Sequence, residues 1–127
     1  MQAQLREAEA AADKASSALE SAVRQACASA RDNYARFHWA VARVARLKRL
    51  TQANGESVAA ARIGYRVGSR SSMDVLRAID ALYAGRRDLM RAHYDAITAF
   101  LDLKASTATL SVDDIAEVND RLGAGQK

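Results

Sequence analysis

One pattern limits this chain more than any other. From Leu5 onward, small or apolar residues recur at alternating steps of three and four. The series runs Leu5, Ala8, Ala12, Ala15, Leu19, Ala22, Ala26, Ala30, Asn33, Phe37, Ala40, Val44, Leu47, Thr51, Asn54, Val58, Ala61, Tyr65. Such spacing keeps one stripe of a helix facing a partner helix, the arrangement of a coiled coil. Two successive four-steps around Ala26 and Ala30 break the alternation, the mark of a stutter that locally unwinds the supercoil. The 127 residues include no proline, so nothing forbids one helix from about residue 2 to about 67. Its length would be roughly 100 Å at 1.5 Å per residue.

The pattern stops at "GYRVGSRSSMDVL", residues 64–76. Gly68 lies just past the helix, where a left-handed C-cap is expected. Ser71 with Asp74 three residues later forms a capping-box pattern that starts a second helix, about 72 to 105. A turn over 68–71 is so short that the two helices must fold back antiparallel. Ser111 with Asp114 repeats the pattern after a loop near 106–110. A short amphipathic helix then covers about 112–122, with Gly123 expected to end it. The fold class is therefore all-α: a long antiparallel coiled-coil hairpin over residues 1–105, then a short helix and tail over 106–127. No strand pattern is present.

Two mismatches follow. The second helix carries two apolar stripes where a hairpin needs one. The first is Val75, Ile79, Leu82, Leu89, Ala96, Phe100 and Leu103; the second is Leu76, Tyr83, Met90, Tyr94, Ile97 and Leu101. The second helix is also only half as long as the first, which leaves the seam of residues 2–33 unpartnered. Both call for neighbours beyond this hairpin.

Composition narrows the chemistry. Aromatics make up 6%, so the contacts are those of small side chains at close helix crossings. The net charge of +4 permits contact with anionic partners without requiring it. Cys27 is the single cysteine; it forms no internal disulfide, belongs to no metal-binding cluster, and is expected to be a buried, inert thiol. His38 and His93 lie outside any metal-ligand spacing, so a structural or surface role is expected. No nucleophile motif, phosphate loop or paired carboxylate set is present, which argues against an enzyme and against a cofactor. The basic groups Arg43, Arg46, Lys48, Arg49 and Arg86, Arg87, Arg91 encircle their helices among acidic residues. They read as solvated flanks with snorkelling stems and not as a nucleic-acid or lipid surface. Trp39, beside the seam, is expected to pack. The N-terminal stretch lacks the apolar segment of a signal peptide, and no apolar run is long enough to span a bilayer as a helix.

A plain turn does not need Tyr65 before it or Arg70 at its apex. At this point the sequence resembles the TolC family of outer-membrane efflux channels. The resemblance rests on Gly-Tyr-x-Val-Gly-x-Arg from Gly64, then Asp-Val-Leu from Asp74. It continues with Leu82-Tyr83 and Leu89, Ala92-x-Tyr94-x-x-Ile97, Leu101-x-x-Lys104, and Leu110-Ser111-x-x-Asp114-Ile115. Upstream, "LESAVRQA" and "ARVARLKRL" fit the long helix. The resemblance implies the last part of the second of two repeats, set in a trimeric α-barrel that continues an outer-membrane β-barrel into the periplasm. It implies a segment lacking the signal peptide and membrane strands of the intact protein. The implied partners are a periplasmic adaptor and an inner-membrane transporter, with a homotrimer as the assembly, no nucleic acid and no catalysis. The implied function is passive export in a tripartite efflux or type I secretion system. By position, Val67, Gly68, Ser69, Arg70 and Ser71 fall at the adaptor-contacting tip, and Tyr65, Arg70 and Asp74 fall on gate residues. Arg77 stands where some members carry a second aspartate, a departure from the double acidic ring of those members. A free-standing, self-associating hairpin is the alternative.

Overall fold

The computed structural model describes residues 2–124. Three helices follow in order: α1 over Gln2–Arg66, α2 over Ser72–Ser106 and α3 over Val112–Ala124. There is no strand among the described residues. α1 is about 100 Å long and α2 about 50 Å, and they pack antiparallel over the half of α1 nearest the turn.

The seam does what its spacing requires, but only where α2 reaches it. Every seam position from Ala30 to Ala61 is buried or half-buried. Every residue from Gln4 to Ser29 is exposed. At the tip end the seam slips by one: Gly64 is half-buried while Tyr65 points outward. On α2 the first stripe, Val75 to Leu103, is half-buried against α1 throughout, with Gly85 and Ala92 buried between its members. Of the second stripe, Leu76, Tyr83, Met90 and Tyr94 are exposed, and Ile97 and Leu101 half-buried. The first stripe therefore packs within the chain, while the second faces out from Leu76 to Tyr94 and turns inward at Ile97 and Leu101.

The helix contact is close and made of small groups. A β-carbon at Gly85 would stand 3.1 Å from Asn54 Nδ2 and 3.3 Å from Thr51 Oγ1. This proximity lets Asn54 Nδ2 donate across the interface to the Ala81 carbonyl at 3.1 Å. Thr51 turns its hydroxyl back on its own helix, donating to Leu47 O at 2.9 Å. Farther from the turn larger groups take over. The Phe37 and Phe100 rings meet at 5.7 Å, and Arg43 pairs with Asp95 at 3.5 Å. Among the described residues the only buried apolar side chains are Val58, Ala61 and Ala92. Full burial of a valine contributes about 1.5–3 kcal/mol and of an alanine less. Most of the apolar surface between the two helices is therefore only half-buried.

α2 ends on a left-handed residue: Ala108 has φ of +54°. Ala108 N–H donates to Ala105 O at 3.2 Å and Thr109 N–H to Lys104 O at 2.9 Å, the paired bonds of a Schellman motif. Ser111 and Asp114 then form a reciprocal cap at the start of α3. Ser111 N–H donates to Asp114 Oδ2 at 3.0 Å, and Asp114 N–H to Ser111 Oγ at 3.3 Å. The other oxygen, Asp114 Oδ1, takes the Lys104 ammonium, which also sits 5.1 Å from the Phe100 ring centroid. One carboxylate thus caps α3 and ties it to the end of α2. This holds the Asp114 carboxyl below the usual range, with the Lys104 bond the first cause and the Ser111 bonds next. Glu117 and Val118 of α3 face the groove formed by Phe37, His93, Ala96, Ile97 and Phe100.

Four expectations need correction. Cys27 is exposed, because it lies on the part of α1 that α2 never reaches. Trp39 is 73% exposed, because it sits on the flank beside the seam, with its ring nearly perpendicular to that of His38. Tyr65 leaves the seam as noted. Gly123 does not end α3, which continues to Ala124. The remaining tail, 125–127, lies outside the described residues.

Candidate functional site

The turn is built from hydrogen bonds that converge on one carbonyl. α1 stops at Arg66 and the chain reverses at Gly68, whose φ is +74°. Gly68 N–H donates to Tyr65 O at 3.1 Å and Ser69 N–H to Gly64 O at 2.8 Å. These are the two bonds of a second Schellman motif, with Gly68 in the left-handed position that glycine occupies without strain. Gly64 O also accepts from Arg70 N–H at 3.2 Å and from the Ser69 hydroxyl at 3.1 Å. Three donors on one acceptor satisfy the helix end and fix residues 68–70 as a compact apex.

α2 begins at once with a full capping box. Ser71 N–H and Ser71 Oγ both donate to Asp74 Oδ2, at 2.9 and 2.8 Å, while Asp74 N–H donates to Ser71 Oγ at 3.2 Å. The Asp74 carboxyl is held below its usual range. The Ser71 backbone bond is the largest cause, the Ser71 hydroxyl the next, and Arg77 and Arg70 add attraction. Asp74 is half-buried, whereas Val67, Gly68, Ser69, Arg70 and Ser71 are all exposed at the apex. Tyr65 is exposed on the side of α1 just below it.

The structure therefore brings the expected tip residues together on one accessible knob. Of the three expected gate residues, Arg70 is near enough for its charge to act on Asp74, while Tyr65 lines the groove on the α1 side. Asp74 is engaged by Ser71, and no Arg70–Asp74 ion pair forms among the described residues. Arg70 lies instead along Gly64, where a β-carbon would come within 2.9 Å of Arg70 Cγ.

Two features escape a reading of the turn alone. The first is charge: residues 57–79 carry Arg62, Arg66, Arg70 and Arg77 against the single carboxylate of Asp74. The second is a shallow groove beside the apex, where Ala59, Ile63, Tyr65 and Val75 supply apolar surface and Arg62 and Arg66 supply charge. The spacing of Ala59, Arg62, Ile63 and Arg66 at three- and four-residue steps off the main seam is the sequence signal for it.

Fold and tip together define a class: a long helical hairpin with a capped, cationic apex and a second apolar stripe left facing out. Within that class the chain belongs to the outer membrane efflux protein family, which residues 1–109 match. It is 30% identical over 108 residues to outer membrane protein TolC of Escherichia coli strain K12, covering 85% of this chain and 22% of that protein. The match to outer membrane protein TolC of Salmonella enteritidis is equal in identity, over 109 residues. Over 64 residues the chain is 39% identical to outer membrane protein TolC of Vibrio cholerae serotype O1, covering 50% of this chain and 15% of that protein. The chain thus spans about a fifth of the length of the curated relatives it matches over most of its own length.

Proposed function

We propose that this chain supplies the periplasmic helices and tip of a trimeric outer-membrane efflux channel. It works with a periplasmic adaptor and an inner-membrane transporter in tripartite efflux or type I secretion. Residues 1–105 build the barrel wall, and residues 106–127 are the short helix and tail, the helix being tied to α2 through Lys104 and Asp114. The observation that carries this reading is the two-sided character of α2. One stripe packs on α1, while Leu76, Tyr83, Met90 and Tyr94 stand exposed in line. A helix in a closed wall needs apolar contact on two sides, and a free hairpin needs it on one. The exposed seam of residues 5–26 supports the same reading. Transport on this account is passive, and no residue acts as an acid, base or nucleophile.

At the apex Val67, Gly68, Ser69, Arg70 and Ser71 meet the adaptor. Tyr65, Arg70 and Asp74 act in the gate through contacts with neighbouring helices. A ring of carboxylates at a constriction favours cations. Asp74 remains ionised because of its Ser71 bonds. Arg77, one turn farther along, offsets that ring.

The test is a cysteine at Ser69 in a full-length channel carrying this segment, with a photocrosslinker on it and the adaptor co-expressed. The expected outcome is an adaptor adduct. No adduct, while a control site on the same channel reacts, refutes the tip assignment. For the gate, Asp74→Ala in the intact trimer is expected to raise closed-state conductance, and an unchanged closed state refutes it. A channel that fails to export while the purified chain self-associates points to the free-standing hairpin.

A further inference from the structure

Gly64 occupies a position where the helix has no evident need of glycine. It is the third residue from the end of α1 and has ordinary helical backbone; the left-handed residue of this turn is Gly68. Alanine there would favour the helix by its intrinsic propensity. What glycine supplies is room. A β-carbon at Gly64 would lie 2.9 Å from Arg70 Cγ, 3.0 Å from Arg70 Cδ and 3.2 Å from Ser69 Oγ. These are mid-stem atoms of Arg70, so a small swing of the guanidinium end does not relieve the clash; the whole side chain must leave. Gly55, on the same helix, makes the opposite case, since nothing lies within 4 Å of a β-carbon built there.

The Gly64 backbone serves the same end. Its carbonyl accepts from the Arg70 N–H at 3.2 Å and from both donors of Ser69. The Arg70 backbone is therefore tied to Gly64 O while the Arg70 stem lies across Gly64 Cα. Two anchors on one residue restrict an exposed side chain that would otherwise sample many rotamers, so less ordering remains to be done when it meets a partner.

We propose that Gly64 is a positioning residue for Arg70. Its missing side chain makes the bed on which the Arg70 stem lies, so that the guanidinium leaves the apex from a fixed point toward a carboxylate or carbonyl acceptor on the docking partner. The partner-facing half of this proposal rests on the tip assignment above; the geometric half does not. It assigns the Gly-Tyr-x-Val-Gly-x-Arg spacing a division of labour. Gly68 makes the turn, Gly64 seats the arginine, and Arg70 makes the contact.

The experiment has two arms. In the first, the purified, isotopically labelled chain is studied by NMR as wild type, Gly64→Ala and Gly55→Ala. Wild type and Gly55→Ala are expected to show cross-relaxation between the residue-64 Hα protons and the Arg70 Hγ and Hδ protons, with a restrained Arg70 Nε. Gly64→Ala is expected to lose both while keeping the helical shifts of α1 and the Gly68 turn. Absence of the contact in wild type, or an Arg70 equally restrained in Gly64→Ala, overturns the proposal.

In the second arm the same substitutions are placed in a full-length channel carrying this segment, and adaptor crosslinking is measured from a probe at Val67. Gly64→Ala is expected to lower the yield to within twofold of Arg70→Ala. The double variant is expected to fall no further, and Gly55→Ala to match wild type. Additive losses in the double variant, or a Gly64→Ala that behaves like Gly55→Ala, overturn the positioning role. If Arg70→Ala itself crosslinks as wild type, the tip assignment fails for Arg70, and the NMR arm still decides whether Gly64 seats it.

Discussion

The C-terminal ends of α1 and α2 carry the same motif with different residues, which sets up a reciprocal test. Gly68 and Ala108 both stand in the left-handed region, at φ of +74° and +54°, and both close Schellman motifs. For an L-residue this conformation costs about 1–2 kcal/mol. Glycine avoids that cost but loses more chain freedom on folding, worth about 0.4–1 kcal/mol against alanine. Taken at the midpoints of these ranges, the difference is about 0.8 kcal/mol in favour of glycine at either position. Ala108→Gly should therefore stabilise the chain by about 0.5–1 kcal/mol, and Gly68→Ala should destabilise it by a similar amount. The second effect is purely conformational, because nothing lies within 4 Å of a β-carbon at Gly68. For a chain of this size each change corresponds to about 2–5 °C in Tm. The positions sit at opposite ends of a helix about 50 Å long, so the double variant should add to within about 0.5 kcal/mol and melt near wild type. Urea and thermal unfolding followed by circular dichroism at 222 nm read all three. An Ala108→Gly chain that melts at or below wild type, or a Gly68→Ala chain that is unchanged, refutes the reasoning.

Three further outcomes follow from the same geometry. Gly85→Val should cost about 1–3 kcal/mol, because the added methyls would meet Asn54 and Thr51 and break the Asn54–Ala81 bond; denaturant midpoints measure it. Both capping carboxylates are held below the ordinary carboxylate range in the folded chain, so the unfolded chain takes up protons first. Their contribution is complete above the ordinary carboxylate pKa and is lost as pH falls through the lowered folded one. A pH series of unfolding from 6 to 2 should show this, and Ser71→Ala with Ser111→Ala should flatten it. Lys104→Met should raise the Asp114 pKa, since the Lys104 bond is its largest perturbation; the side-chain carboxyl 13C shift reports the titration.

Much of the fold was legible from spacing. The seam, the short turn and two Ser-x-x-Asp boxes suffice to place α1, α2 and α3, because periodicity and capping are local properties. Cys27 and Trp39 were not legible. Whether either is covered depends on where α2 ends against α1 and on which flank of α1 faces it. Tyr65 shows the limit of the heptad itself. Near the tip the turn folds Ser69 and the Arg70 stem over Gly64, so that Gly64, one residue earlier, is the covered position and Tyr65 is left outside. The candidate site divides in the same way. Gly68, Ser71 and Asp74 announce their roles through turn and cap chemistry, and family resemblance draws attention to Arg70. That Arg70 lies along Gly64 and that Asp74 is committed to Ser71 are contacts no spacing rule contains.

The sequence alone therefore determined that the chain is a helical hairpin with a capped apex and more apolar stripe than it uses. Those features depend on residues within a turn or two of one another. The tertiary structure decided which stripe packs, how far along α1 the pairing runs, and how the apex presents its arginine. These depend on the distance between two helix axes and on side chains that meet only after the chain has reversed.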